Sequence, residues 1–204
     1  MKRQKNKRIL YPVIKAVPGS VSILAGRQKV SALSRLARDC AHLSCDRSGA
    51  DCIGFEKDDA GVPLPEAGWY WSVSHKSGMV CGVVSKGPVG IDIERLKPVS
   101  KGLFSRVVRS DERDRFYDGF GPSQADKIFF RTFTAKEAVL KKEGVGIKGL
   151  PSAQVKRVTD NTHLVVGFRG KNYQIEHFYL DDHIVSVTKD LFEVSWSVEK
   201  THNK

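Results

Sequence analysis

Hydrophobic residues recur at helical spacing in two parts of the chain that flank a more irregular stretch. Between residues 30 and 43 the apolar side chains fall on one helical face, and Gly26 disfavours an early start, so the pattern predicts a helix from about Arg27. Residues 103–116 repeat the pattern, with Ser110 as a candidate second N-cap. These segments therefore predict one long and one or two short helices.

The strongest helical pattern covers residues 123–143. It opens with Ser123-x-x-Asp126, a weak form of the capping box, and keeps its apolar residues mostly on one side. Gly144 and Gly146 follow and are typical of a helix end. This segment is predicted to be a well-bounded amphipathic helix.

The other apolar runs have the length and composition of strands. The first three are expected to form an antiparallel meander, and the order helix, strands, helices, strands indicates an α+β fold. Two halves of similar size are expected to meet near residues 86–100. The predicted strands are 69–74, 79–85, 89–94, 155–159, 163–168, 173–180 and 184–189, with a further short strand around 53–55.

Composition narrows the class of protein. Of 204 residues, 40% are hydrophobic, and no apolar run approaches the ~18 residues of a membrane helix. No apolar signal core follows the basic N-terminus, so we expect a soluble, cytoplasmic protein. The four cysteines match no common zinc spacing, and we expect free thiols, with two disulfides as the alternative.

Positive charge is concentrated at the N-terminal end. The net charge is +11, and the first 50 residues carry 11 Lys and Arg side chains against two Asp. Such a basic region favours an anionic partner, which leaves open a nucleic acid, a phosphorylated small molecule or an acidic protein. A solvated basic tail over residues 1–8 is the alternative at the extreme N-terminus.

Three short motifs contain residues suited to chemistry. If residues 89–94 form a strand, Asp92 and Glu94 share one face and could hold Mg²⁺; a solvent-facing acidic pair is the alternative. On the third helix, Glu137 and Lys141 are i, i+4 neighbours, which is also the spacing of an ordinary surface ion pair. His75, with Lys76 at a strand end, could hold a phosphate, or be a turn histidine without a ligand.

The order of these motifs is more specific than any one of them. The chain contains S-V-S-H, then G-I-D-I-E, then F-x-x-K-E-A-x-x-K followed by E-G-x-G-I, with 45 residues from Asp92 to Glu137. Over about residues 27–150 this arrangement resembles the 4′-phosphopantetheinyl transferases, in particular their larger single-chain type. In that family the group transferred is the phosphopantetheine arm of coenzyme A.

The resemblance implies a fold and a reaction. It implies two similar α/β halves, a pseudo-dimer within one chain, each with a small antiparallel sheet packed by helices and with the active site between them. The halves would be residues 1–88, which contribute to coenzyme A binding, and residues 89–204, which hold the metal site. The implied partners are coenzyme A, Mg²⁺ and an apo acyl or peptidyl carrier protein, without nucleic acid or membrane, and a monomer is the simplest expectation.

The resemblance also assigns roles to individual residues. Asp92, Glu94 and Glu137 match the metal-binding acids, and Glu137 matches the proposed base. Lys141 matches the lysine thought to stabilise or protonate the leaving phosphate. The residues implied to contact coenzyme A are Arg27, Lys29, Arg35, Ser74, His75 and Lys76.

The chain departs from the family pattern at two places. Phe133 stands where the family usually has Trp, an exchange that should preserve packing. Gly61-Val62-Pro63 stands where the family often has a basic residue between Gly and Pro, so one nucleotide contact is missing unless Lys76 replaces it.

Two other functions remain open on the sequence. A basic nucleic-acid-binding module would use the net charge and aromatics interleaved with basic residues, such as Trp69 and Trp71 or the segment from Arg169 to Tyr173. The second alternative is a relative of the family that binds coenzyme A or a carrier protein without catalysis. Magnesium dependence separates the enzyme from both.

Overall fold

The computed structural model describes residues 8–51, 54–117 and 124–199 as a mixed α+β structure with several small sheets and helices. No helix within these ranges is long and apolar enough to cross a membrane. The strands are β1 (Ile9–Leu10), β2 (Val13–Ala16), β3 (Tyr70–Lys76), β4 (Met79–Ser85), β5 (Ile91–Arg95), β6 (Gln154–Val158), β7 (His163–Phe168), β8 (Lys171–Leu180), β9 (His183–Thr188), β10 (Glu193–Val194) and β11 (Ser197–Glu199). The helices are α1 (Gly19–Ser22), α2 (Gly26–Arg47), α3 (Lys101–Val107), α4 (Ser110–Phe116) and α5 (Ala125–Lys142), and a 3₁₀ helix covers Ile147–Ser152.

The first sheet has four strands in the order β11-β2-β4-β3. Strands β3 and β4 form an antiparallel hairpin, and β11 returns from the C-terminal part of the chain to pair in parallel with β2. Helix α2 covers one face, where Leu33 and Ala37 pack against Val13 and Val80. A Cβ at Gly82 would lie 2.5 Å from the Ala41 nitrogen, so glycine is needed for this close helix–strand approach.

The second sheet has five antiparallel strands in the order β5-β9-β8-β7-β6. Helix α5 covers one face of it, where Val139 and Leu140 pack against Leu164 and Ile175. Strand β5 is an edge strand of this sheet, and its only described strand partner is β9.

The two sheets share a central apolar core. Ile14 and Val83 from the first sheet pack in one buried cluster with Ile91, Ile93 and Val185 from the second. Because neighbouring residues in a strand point to opposite faces, each long helix lies on the far side of its sheet from this core. The layers therefore run helix, sheet, sheet, helix, and the edge strands β3 and β5 lie side by side.

Most predicted elements are confirmed, including the three helical patterns and the four C-terminal strands. The predicted meander is wrong, because β5 leaves the first sheet and pairs with β9, from Ile91 opposite Val187 to Arg95 opposite His183. Local alternation identifies a strand but carries no information about a partner 90 residues away. The short strands β1, β2, β10 and β11 were not predicted.

Three smaller predictions, on the cysteines, a helix cap and a short strand, can be compared with the structure. Cys40 and Cys81 are free as expected, but Cys45 is disulfide-bonded, which corrects the prediction for that residue. The predicted capping residue Ser123 lies outside the described residues, and the carboxylate of Asp126 instead accepts a hydrogen bond from the Val99 backbone at 2.8 Å. The short strand expected near residues 53–55 includes Ile53, also outside the described ranges, while Phe55 adopts a positive φ of 64° outside any strand.

Candidate active site

The predicted catalytic residues meet where β3, β5 and α5 come together. The approach of α5 to the start of β5 is so close that a Cβ at Gly90 would lie 1.8 Å from the Ala138 carbonyl oxygen. Any side chain at this position would force the helix away from the strand. The glycine of the G-I-D-I-E motif therefore sets the distance between the acids of β5 and the residues of α5.

Asp92 lies at the centre of this junction and is buried. Its Oδ1 accepts hydrogen bonds from the Ser74 hydroxyl at 2.8 Å and from the Lys141 ammonium at 2.8 Å. Lys141 also donates to the Ile91 carbonyl at 3.1 Å. Strand β3, strand β5 and helix α5 thus each contribute one side chain to a single charged contact.

Glu137 lies one helical turn before Lys141 on the same stripe of α5. Burial, followed by the nearby negative charge of Asp92, raises the pKa of Glu137 to about 7, while Lys141 opposes the shift. Glu137 Oε1 and Asp92 Oδ2 are both buried, and neither has a hydrogen-bond partner among the described residues. Two carboxylates with one unused oxygen each therefore lie close enough to repel one another.

Glu94 occupies the same face of β5 as Asp92 but has a different partner. Its carboxylate forms an ion pair with Lys76 at 2.7 Å. Burial raises the pKa of Glu94, and the hydrogen bond from Lys76 counteracts part of that shift. Lys76 and Ser74 therefore contact the acids of β5 in this structure.

The geometry can be tested against a divalent cation. Within residues 8–51, 54–117 and 124–199, no group of three or more His, Cys, Asp and Glu side chains is arranged to hold a metal ion. The unpartnered oxygens of Asp92 and Glu137 are hard donors of the kind Mg²⁺ prefers, and Mg²⁺ commonly takes only one or two carboxylates besides phosphates and water. The residues present fit such an ion when a phosphorylated substrate supplies the remaining ligands.

The opposite face of β3 carries a cluster of positive charge. His75 is half-buried there, and its pKa is lowered by burial first and then by Lys141 and Lys57. Burial, then Arg38 and Lys141, lowers the pKa of Lys57 in the same way. The basic groups of four different segments are therefore close enough for their charges to influence one another, an arrangement suited to an anionic ligand.

Lys57 is the residue that the sequence analysis missed. It lies opposite Pro63 in a short antiparallel bridge, and its ammonium is 5.8 Å from the centroid of the Trp71 ring. The bridge places a lysine beside the Gly61-Val62-Pro63 segment, where the family pattern has its basic residue. The turn-forming residues between 58 and 61 were the available signal, because a tight turn there brings residues 57 and 63 together.

The other predicted coenzyme A contacts lie on α2. Arg27 and Arg35 are exposed, and Lys29 donates to the Ser22 carbonyl at 2.9 Å. Arg38, one turn beyond Ser34, is half-buried and donates to that hydroxyl at 2.9 Å. Of the α2 arginines, it is Arg38 that interacts with the cluster around His75 and Lys57.

Comparison with known proteins points to one family. Residues 88–188 match the model of the 4′-phosphopantetheinyl transferase superfamily. The chain is 34% identical over 103 residues to 4′-phosphopantetheinyl transferase psf-1 of Bacillus pumilus, which covers 49% of this chain and 44% of that protein. It is 31% identical over 99 residues to 4′-phosphopantetheinyl transferase ffp of Bacillus subtilis, covering 47% and 43%. With 4′-phosphopantetheinyl transferase Sfp of Bacillus subtilis strain 168 the identity is 33% over 103 residues, covering 47% and 43%.

The chain therefore belongs to the 4′-phosphopantetheinyl transferase superfamily, and its similarity to these relatives is consistent with the Sfp-like type. The matched region contains Asp92, Glu94, Glu137 and Lys141, whereas His75 and the basic residues of α2 lie before it. The chain covers less than half the length of each of these three relatives.

Proposed function

We propose that this chain transfers the 4′-phosphopantetheine group from coenzyme A to a serine of an apo acyl or peptidyl carrier protein and releases adenosine 3′,5′-bisphosphate. The observation that carries the proposal is the junction of Asp92, Glu137 and Lys141. There, an ammonium group lies beside two carboxylates, each of which has a buried oxygen without a described partner.

The reaction breaks the bond between the β-phosphorus and the oxygen that links it to the adenosine bisphosphate. The serine oxygen forms the new bond to that phosphorus, and the serine proton must leave. Glu137 is suited to take this proton, because a pKa near 7 leaves it partly ionised and still basic at neutral pH. The proton moves to Glu137 directly or through one water molecule.

Lys141 is suited to stabilise the leaving phosphate. It is half-buried and is held in place by Asp92 and the Ile91 carbonyl, so its charge is oriented before substrate arrives. A preorganised cation at the oxygen where negative charge develops lowers the barrier without reorganising during the reaction.

The acids are proposed to hold Mg²⁺ as well. Asp92 and Glu137 would bind it through their unpartnered oxygens, with Glu94 as a third ligand if its ion pair with Lys76 opens. When bound, the ion would neutralise phosphate charge and polarise the reacting pyrophosphate. Metal binding would lower the basicity of Glu137, so in this proposal Glu137 uses its two oxygens for the two tasks.

The positive cluster is proposed to bind the phosphates of coenzyme A. His75 and Arg38 form its half-buried part, and the exposed Lys57 lies beside them. The α2 residues Arg27, Lys29 and Arg35 extend it toward solvent, with Arg35 on the 3′-phosphate. Lys57 is proposed to replace the basic residue missing at Val62. Lys76 and Ser74 are assigned to holding Glu94 and Asp92, which modifies the expectation from the family pattern.

The remaining parts of the proposal concern assembly and surroundings. The two sheets with their helices are proposed to be the two related halves, divided near residue 88, and the crossing of β11 into the first sheet ties them together. A monomer in the cytoplasm is the expected state. The basic N-terminal quarter is suited to attract an acidic carrier protein.

Intact-mass spectrometry tests this function directly. An apo carrier protein is incubated with the chain, coenzyme A and Mg²⁺, and a parallel sample contains EDTA. A gain of one phosphopantetheine that EDTA abolishes is the expected result. If carriers of several classes gain nothing while coenzyme A still binds, the chain is a non-catalytic relative; if coenzyme A does not bind at all, the proposed function is wrong.

A further inference from the structure

The lysine next to Glu137 in the sequence is sealed inside the protein. Lys136 has a relative exposure of 1%, and its ammonium donates to Glu112 at 2.8 Å and to the Val107 carbonyl at 2.7 Å. Glu112, on α4, is equally buried. Lys136 belongs to the F-x-x-K-E-A-x-x-K motif and Glu112 lies outside it, and none of the proposed chemistry uses either residue.

Glu112 extends the contact to two further segments. It accepts hydrogen bonds from the Val155 backbone of β6 at 2.6 Å and from the Arg109 backbone at the start of α4 at 2.9 Å. Together with the Val107 carbonyl at the end of α3, one lysine of α5 is thereby connected to three other elements. A movement of α5 relative to α3 or α4 would break a buried hydrogen bond of the Lys136 ammonium, and a movement relative to β6 would strain the Glu112 contact between them.

Stability alone does not explain this arrangement. Removing two opposite charges from water has a large desolvation cost, and apolar side chains of similar volume are often as stabilising. A buried ion pair does differ from an apolar contact in being directional. Its hydrogen bonds require a particular orientation of the ammonium group, whereas apolar packing tolerates sliding and rotation.

The orientation of Lys136 bears directly on Glu137 and Lys141. Consecutive residues of a helix are about 100° apart, so a helix rotation that moves Lys136 moves Glu137 with it. A rotation of about 20° would shift a carboxylate about 6 Å from the helix axis by about 2 Å. Gly90 sets how closely α5 approaches β5, but glycine provides no directional contact that would stop such a rotation.

We propose that the Lys136–Glu112 pair is a positioning device that fixes the rotation of α5 and so aligns Glu137 and Lys141 with Asp92. The pair touches no substrate and acts only through the helix. As a statement about catalysis, the inference rests on the proposed transferase function.

The test separates charge from packing at this pair. Lys136→Met leaves Glu112 buried without its cation, and we expect Tm to fall by about 10 °C. The double variant Lys136→Met/Glu112→Gln removes both charges and keeps an acceptor oxygen for the Val155 N–H. We expect it to regain at least half of the lost Tm while kcat remains at least about tenfold below wild type, because small misplacements of reacting groups are costly.

A matched control distinguishes misalignment from simple destabilisation. Phe129 is a buried core residue two turns before Glu137 on α5, and Phe129→Leu is chosen to lower Tm through a cavity without touching the pair. All kcat values are measured at a temperature where each variant is folded. We expect Phe129→Leu to keep kcat within about twofold of wild type, and the KM for coenzyme A to change little in the double variant, because His75, Lys57 and Arg38 lie on other elements.

Two kinetic results would overturn the inference. One is a double variant with kcat within about twofold of wild type. The other is a Phe129→Leu variant whose loss of kcat, relative to its loss of Tm, is as large as that of the double variant. If the wild-type chain transfers nothing, the proposed function fails, and crystal structures of wild type and double variant decide the positioning role. Loss of the 2.8 Å contact between Lys141 and Asp92 in the double variant supports it, and an unchanged contact refutes it.

Discussion

Two of the lysine–carboxylate pairs of helix α5 have lysines five residues apart and lie in very different surroundings. At Lys136 and Glu112, both side chains are 1% exposed, and the carboxylate is fully engaged by hydrogen-bond donors. At Lys141 and Asp92, the lysine is 29% exposed, and one carboxylate oxygen has no described partner. The carboxylate of the first pair thus has all its hydrogen bonds satisfied, whereas the carboxylate of the second pair does not.

The difference separates a structural task from a chemical one. A pair whose hydrogen bonds are all satisfied can orient its helix but has no capacity left to bind a ligand. A pair with an unsatisfied oxygen and partial exposure costs stability, and this cost is typical of functional sites. We call Lys141–Asp92 the open pair and Lys136–Glu112 the sealed pair. The comparison predicts that substitutions at the open pair change activity more than stability, and that substitutions at the sealed pair change both.

Removing Asp92 should give the largest effect on activity. Asp92→Ala eliminates the acceptor of Lys141 and one proposed metal ligand, and we expect transfer to fall by about 10³-fold or more, with little change in Tm. The mass-spectrometric transfer assay measures the loss, and calorimetry measures Tm. Asp114→Ala, which removes an exposed carboxylate paired with Arg113, is the matched control and should be unaffected. Near-normal transfer by Asp92→Ala would contradict the site assignment.

Replacing Lys141 should separate turnover from binding. Lys141→Met keeps the length of the side chain but removes its charge, so we expect kcat to fall about 10²-fold. Coenzyme A affinity should change less than kcat, because the phosphates retain the cluster around His75. The same substitution at Lys136 should lower Tm far more. Should Lys141→Met weaken coenzyme A binding while sparing kcat, Lys141 would be a binding residue.

A substitution at Lys57 tests the positively charged face of β3. Lys57→Ala removes one charge from the proposed phosphate cluster, and we expect the KM for coenzyme A to rise about tenfold with kcat nearly unchanged. The control is Lys127→Ala, which removes another lysine stacked over an aromatic ring, at 4.8 Å from the centroid of Tyr179. Equal effects of the two variants would show that net charge, rather than the position of Lys57, attracts coenzyme A.

The open pair was easier to predict from the sequence than the sealed one. Asp92, Glu137 and Lys141 stand in motifs whose residue types indicate their chemistry, and the alternation around Asp92 indicates which face it occupies. Glu112 lies in an ordinary charged helix, and no local pattern shows that it is buried against a lysine 24 residues later. Lys57 was missed for the same reason, because its neighbours are set by a turn and by contacts with distant segments.

The last prediction concerns Tm, and its sign differs between the buried Glu112 and the active-site Glu137; the smallest shift is expected at Glu137. Glu112→Gln should lower Tm at all pH values between 5 and 8, because it leaves the Lys136 charge buried without its counterion. Glu137→Gln should instead raise Tm by a few degrees at pH 8 in EDTA. The pKa of Glu137 is about 7 in the folded protein against 4.5 for an unperturbed glutamate, so its ionisation lowers the stability fully above pH 7, and this loss shrinks as the pH falls toward 4.5. Calorimetry at pH 5 and pH 8 measures the difference, which at pH 5 should be about a quarter of its value at pH 8. A decrease in Tm for Glu137→Gln at pH 8 would mean that the ionised Glu137 is stabilised by contacts of its own, which would contradict its raised pKa.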